Sequence, residues 1–129
     1  LERKQMTTAI NAEKHNDDMM VVQATLTSGS GGEAATVTTT HSYKGFIVQA
    51  EIDPDDTNTP TDNWDLVVSD TYASVLSLAD NDTTSNAAVV KYQDDMHNGV
   101  ACFGPLTFTG SNMGASKTAV VVLYIIRVQ

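Results

Sequence analysis

The chain has 129 residues, with 16 Asp and Glu against 7 Lys and Arg and a formal net charge of −9. Hydrophobic residues make up 41% and charged residues 18%, a balance that excludes both a disordered acidic tail and a membrane protein. Thr, Ser and Asn stand where Lys and Glu would build surface helices, so an all-helical fold is disfavoured. The acid excess excludes nucleic-acid binding, which needs clustered Lys and Arg.

Residues 1–18 differ from the rest. Arg3, Lys4 and Lys14 against Glu2 and Glu13 leave residues 1–14 at a formal +1 and the remainder at −10. Apolar positions are sparse there, so the segment reads as an N-terminal arm, extended or a short helix, ordered by contact with a partner. Arg3, Lys4, Ile10 and Lys14 are the residues expected to make that contact. The chain starts at Leu1 rather than Met, which points to residues upstream of it.

Residues 19–129 carry strand signals. Val22, Ala24 and Leu26 alternate with Gln23, Thr25 and Thr27, and the glycine-rich turn at 28–32 follows. Thr36 to Thr40 reads as a strand with a wet face. Phe46, Val48, Ala50 and Ile52 form one face of a half-buried strand, with Ile47, Gln49 and Glu51 on the other. Residues 53–62 (DPDDTNTPTD) form a loop, after which Trp64, Leu66 and Val68 alternate with polar positions. Asp70-Thr71 turns the chain into a return strand at Val75 to Leu78. A polar loop over 79–88, a short strand at Val89 to Tyr92 and a tight turn at Asn98-Gly99 come next. Val100 to Phe103 and Leu106 to Thr109 flank Gly104-Pro105, where a bend or change of sheet is expected. The last strand, Lys117 to Arg127, is apolar on both faces: a central strand, or one whose outer face another chain covers. About eight short antiparallel strands with Gly, Pro, Asn and Asp turns predict an all-β, single β-sandwich or jelly-roll-like domain over 19–129.

Few residues point to chemistry. Asp53, Asp55 and Asp56 offer hard oxygens for calcium, but the spacing fails the EF-hand pattern: Thr57 stands at position five and Trp64 at position twelve. Asp caps turns readily, so a solvated turn with no metal is expected. His15, His41 and His97 form no ligand pair, and no nucleophile elbow or phosphate loop occurs. Cys102 is the single cysteine; no intramolecular disulfide is possible, and a buried hydrophobe in a reducing cytoplasm is the expectation. No catalytic residues and no cofactor are assigned, and no enzyme activity is expected. Trp64, Tyr72, Tyr92 and Tyr124 could form a sugar-binding platform, although Trp64 is in phase with the core positions Leu66 and Val68.

The stretch from Gln49 to Val128 carries Ile52-Asp53-Pro54, then Thr59-Pro60-Thr61-Asp62-Asn63-Trp64-Asp65-Leu66-Val67-Val68-Ser69-Asp70. It continues with Gly104-Pro105-Leu106-Thr107-Phe108-Thr109 and Ser111-Asn112-Met113-Gly114-Ala115-Ser116-Lys117-Thr118, then Val121-Val122-Leu123-Tyr124. It resembles small β-sandwich virion structural proteins of tailed bacteriophages. Ala119 departs from that pattern, where a Gly is usual. The resemblance implies a virion component and does not by itself say capsid or tail; size, β-sandwich pattern and arm favour a capsid decoration (cement) protein that binds the major capsid protein and itself as a homotrimer. Its place would be the capsid surface, after assembly in the host bacterial cytoplasm. A tail or fibre module that binds a host glycan or another tail protein is the alternative. No catalytic residue carries over.

Overall fold

The computed structural model describes residues 8–14, 19–81, 89–91 and 99–128. The described residues form eight strands: β1 (Ala9–Lys14), β2 (Met19–Thr27), β3 (Ala35–Pro54), β4 (Trp64–Ser69), β5 (Ser74–Asn81), β6 (Val89–Lys91), β7 (Val100–Ser111) and β8 (Thr118–Arg127). The fold is an all-β sandwich. Its hydrogen-bonded path runs β1-β2-β8-β3-β7-β4-β5, with β6 also on β3 and neighbours antiparallel throughout.

The long strand β3 belongs to both layers. Its first part pairs with β7, its last part with β8 and β6, and Gly45 to Ile47 pair with β7 and β8 together. Gly45 permits this junction, because a Cβ there would lie 2.0 Å from the Ile126 carbonyl oxygen. The inward faces close on one core. Met20, Val22, Ala24 and Leu26 from β2 and Ala119, Val121, Leu123 and Ile125 from β8 meet Trp64, Leu66, Val68, Leu106 and Phe108 of the other layer. Gly110 of β7 leaves the space into which Leu26, Trp64 and Met113 pack. Period-two burial in β2 and β4 matches their sequence alternation, with Trp64 fully buried, and β8, apolar on both faces in sequence, is a central strand that buries one of them.

Several expectations change. The sheet begins at Ala9, earlier than residue 19. Within the segment read as an arm, β1 pairs with β2, and Ile10 packs against the chain's own core. Thr36–Thr40 and Phe46–Ile52 are one 20-residue strand. A bulge between Ile47 and Gln49 reverses the phase, so Ile47 is buried and then Ala50 and Ile52, leaving Phe46 and Val48 half-buried. Gly104-Pro105 does not break β7, which runs unbroken from Val100 to Ser111.

The irregularity lies instead in β3, whose register with β7 steps from Thr38↔Thr107 to Ser42↔Pro105 and so carries two extra residues. Side chains satisfy the groups that this bulge takes out of the ladder. The Thr39 hydroxyl accepts the Leu106 N–H at 3.0 Å and donates to the His41 carbonyl at 2.7 Å. The Glu13 carboxylate on β1 accepts the N–H groups of Thr40 and His41 at 3.1 and 3.2 Å, and the Tyr43 hydroxyl at 2.7 Å. An edge strand is thereby tied across to the other layer.

Candidate functional site

The acidic loop is a built turn. Asp55 accepts the N–H groups of Thr57 and Asn58 through one carboxylate oxygen, at 3.1 and 2.6 Å, and its own N–H donates to the Thr118 carbonyl. Asp53, Asp55 and Asp56 line a shallow depression of about 330 Å³ with Pro54, Thr57, Thr118 and Val120. Among the described residues no group of three or more His, Cys, Asp or Glu is placed to hold a metal ion. Residues 59–65 and 111–118 meet at this end of the sandwich. Thr61 donates its N–H to the Met113 carbonyl and its hydroxyl to the Asn112 carbonyl, and Asn112 donates to Asp65 at 2.7 Å. These residues close turns around the buried Met113 and perform no visible chemistry.

Cys102 is buried on β7. Burial, aided by the charge of Asp70 and opposed by a backbone hydrogen bond from Gly45, pushes its thiol up to about 11. It stays protonated at neutral pH and is unsuited to nucleophilic attack. Of the residues expected to contact a partner, Arg3 and Lys4 lie outside the described residues. Lys14 ends β1 opposite Val21, and Ile10 is turned to the core. Tyr92, His15 and His97 also lie outside the described residues, and Trp64 is core.

What the structure brings together is a different set. Among the described residues, the exposed large hydrophobic side chains are Met19, Tyr72, Phe103, Ile126 and Val128. Register places them in one band over the seam where β3 joins the layers. Met19 pairs with Ile126, Ile126 with Phe46, and Phe46 with Ala101. In the adjoining row Val128 donates its N–H to the Lys44 carbonyl, and Lys44 pairs with Phe103. Phe103 stacks on Tyr72, with ring centroids 6.0 Å apart and planes at 29°.

The end of the band at Tyr72 is rigidly built. Asp70 accepts the N–H groups of Tyr72 and Ala73 at 2.8 and 3.0 Å and, through its other oxygen, that of Phe103 at 2.9 Å. Burial acts to raise the Asp70 carboxyl, but these backbone donors outweigh it and hold the group below its ordinary range. Thr71 donates its N–H to the Phe103 carbonyl, so the β4–β5 turn is locked to β7. Gly104 is required here: its φ is +101°, and a Cβ would meet the Thr71 hydroxyl at 1.9 Å. The result holds Tyr72 at 78% and Phe103 at 46% exposure beside a mostly apolar groove of about 390 Å³, lined by Ser42, Tyr43, Lys44, Thr71, Phe103, Gly104 and Pro105. The Lys44 ammonium lies 5.9 Å from the Phe103 ring centroid. Rigid exposed aromatics beside an apolar groove are suited to anchoring a partner. The sequence singled out Tyr72 but missed Phe103, although period two counted from the buried Cys102 would have turned Phe103 outward.

No family model matches the chain, and no curated protein matches it. Two solved structures are similar in outline. The crystal structure of FlhE is 9% identical with a TM-score of 0.41, covering 86% of this chain and 100% of that one. A cupin domain from Bordetella pertussis Tohama I is 10% identical with a TM-score of 0.37, covering 98% of this chain and 100% of that one.

Proposed function

We propose that this chain is a structural protein of a tailed-bacteriophage virion, a capsid decoration (cement) protein that binds the major capsid protein at the capsid surface. The observation that carries the reading is the locked Tyr72–Phe103 pair with its apolar groove, an anchor for another protein rather than a reaction centre. The sequence resemblance across residues 49–128 supports the virion setting. The basic residues Arg3, Lys4 and Lys14 supply a second contact in this reading. No enzyme activity, cofactor, nucleic acid or membrane belongs to it.

Particle composition and a binding assay test it. Purified virions should carry many copies of the protein on the outer surface in a cryo-EM map, and undecorated particles should bind added protein in a co-sedimentation assay. Tyr72→Ala and Phe103→Ala should each weaken that binding by about tenfold or more, the loss of a hot-spot side chain. A few copies per particle, or binding indifferent to both changes, would overturn the reading. The strong exposure of Tyr72 beside Lys44 and the hydroxyls of Ser42 and Thr71 also suits a saccharide ring. Retention of the isolated protein on a glycan array, lost with Tyr72→Ala, would move the assignment to a tail or fibre module.

A further inference from the structure

We propose that the outer face of β2, β8 and β3 binds a second copy of this chain, the two sheets stacked with their strands reversed. An apolar stripe along β8 crosses the middle of this face, flanked by Gln23 on β2 and by Gln49 and Glu51 on β3, and the two ends carry opposite charge. On β8 the outward residues are Val120, Val122 and Tyr124, all half-buried, and the exposed Ile126. At the first end Val120 pairs with the exposed Asp53, and Asp55 is hydrogen-bonded to Thr118. At the other end Ile126 lies between Met19 and Phe46, and exposed Lys44 is hydrogen-bonded to Val128. Carboxylates and ammonium are thus separated by roughly 30 Å of strand, at about 3.3 Å per residue.

The arrangement is symmetric about Leu123. Thr118, which holds the acidic end, and Val128, which holds Lys44, stand equally far from it along the chain. A two-fold axis lying in the interface and crossing the strands at the level of Leu123 keeps β3 over β3 and β8 over β8 while exchanging their ends. It places Ile126 of each copy over Val120 of the other and Tyr124 over Val122. Lys44 falls over the depression bounded by Asp53 and Asp55. Glu51, at the level of Val122, falls over Gln49, at the level of Tyr124, so no two carboxylates face each other. This is the self-complementarity that an isologous interface requires, and the stacked sheets are the arrangement that antiparallel sheets adopt within sandwiches. For a chain of net charge −9, copies repel over most of their surface, and a face that sets Lys44 at the depression between Asp53 and Asp55 eases that penalty locally. The inference does not rest on what the Tyr72–Phe103 platform binds, although Lys44 borders both surfaces, and it puts a dimer in place of the homotrimer that the sequence led us to expect.

Sedimentation velocity on the full chain across the micromolar range tests it, with circular dichroism confirming that each variant is folded. The wild type should reach the mass of a dimer, and Ile126→Glu should remain monomeric. Lys44→Glu and Asp53→Lys should each weaken association by about tenfold, since like charges then meet at both ends of the pair. Mixing the two variants should restore it, because the mixed pair has opposite charges at both ends. If Ile126→Glu does not fold, the charge-reversal pair still decides the question. A monomer at all concentrations, a trimer as the assembled species, or a mixture no tighter than its components would overturn the proposal.

Discussion

Replacing Glu13 with alanine removes the carboxylate that ties β1 to the bulge of β3. Three hydrogen bonds are lost: from the Tyr43 hydroxyl at 2.7 Å and from the N–H groups of Thr40 and His41 at 3.1 and 3.2 Å. A hydrogen bond to a charged group contributes ~1.5–3 kcal/mol, but Thr40 and His41 are exposed and water replaces the carboxylate there at small cost. Tyr43 is buried, so its bond dominates, and the expected loss is about 2 kcal/mol, or roughly 8 °C in melting temperature for a domain of this size. Tyr43→Phe should cost about 1 kcal/mol, and the double variant little more than Glu13→Ala alone, because the two side chains share one interaction. Acid provides a second arm. Burial acts to raise the Glu13 carboxyl, but the Tyr43 hydroxyl, the two backbone donors and the charge of His41 outweigh it and hold the group below its ordinary 4.5. A depressed carboxyl stabilises above its unfolded value and loses that stabilisation as pH falls through its folded value. Urea denaturation should therefore show the wild type weakening below pH 4.5 by more than Glu13→Gln does. A loss under about 0.5 kcal/mol for Glu13→Ala at neutral pH, or identical acid profiles for wild type and Glu13→Gln, would refute the account.

Thr39→Val keeps the shape but leaves the buried Leu106 N–H without the hydroxyl that accepts it, and should cost about 1–3 kcal/mol by chemical denaturation, with Thr39→Ser much milder. Gly104→Ala should cost about 2 kcal/mol or more, from the positive φ and the collision with Thr71; adding Thr71→Ala should recover only the collision. Cys102 should resist thiol-specific reagents at mildly alkaline pH in the folded protein and react fully in urea, because burial raises its thiol to about 11; rapid labelling of the folded chain would contradict this.

The strand content and most inward faces were legible because they depend on neighbours in sequence. Val22 to Leu26 and Trp64 to Val68 show their alternation directly, and the structure buries the expected side; β8, apolar on both faces, offered no such choice, and the fold buries Ala119, Val121, Leu123 and Ile125. Bulges were not legible. The step between Ile47 and Gln49 moves Phe46 and Val48 off the core face, and nothing local to those residues signals it, since the cause is pairing with β8. The continuity of β3 was hidden in the same way: Thr39 to Ser42 read as the end of a strand, yet Thr39 and the distant Glu13 supply the missing partners. The Tyr72–Phe103 site was half legible. Asp70 marked a turn, but its third hydrogen bond, to the Phe103 N–H, crosses between turn and strand in a way that only the fold brings about.

The shared strand β3 also governs how the chain must fold. Its partners β7 and β8 lie far along the chain from it, and β2 waits for the same distant strand, Met19 pairing with Ile126. Neither layer can close before residues 100–127 have emerged, so the growing chain carries unpaired apolar strands until then. Such non-local pairing places folding in the slow, millisecond-to-second regime and makes the nascent chain the most aggregation-exposed form of the protein. Once formed, a strand common to both layers couples their unfolding. Hydrogen exchange at Val121 to Ile125 and at Leu106 to Phe108 should report a single opening event.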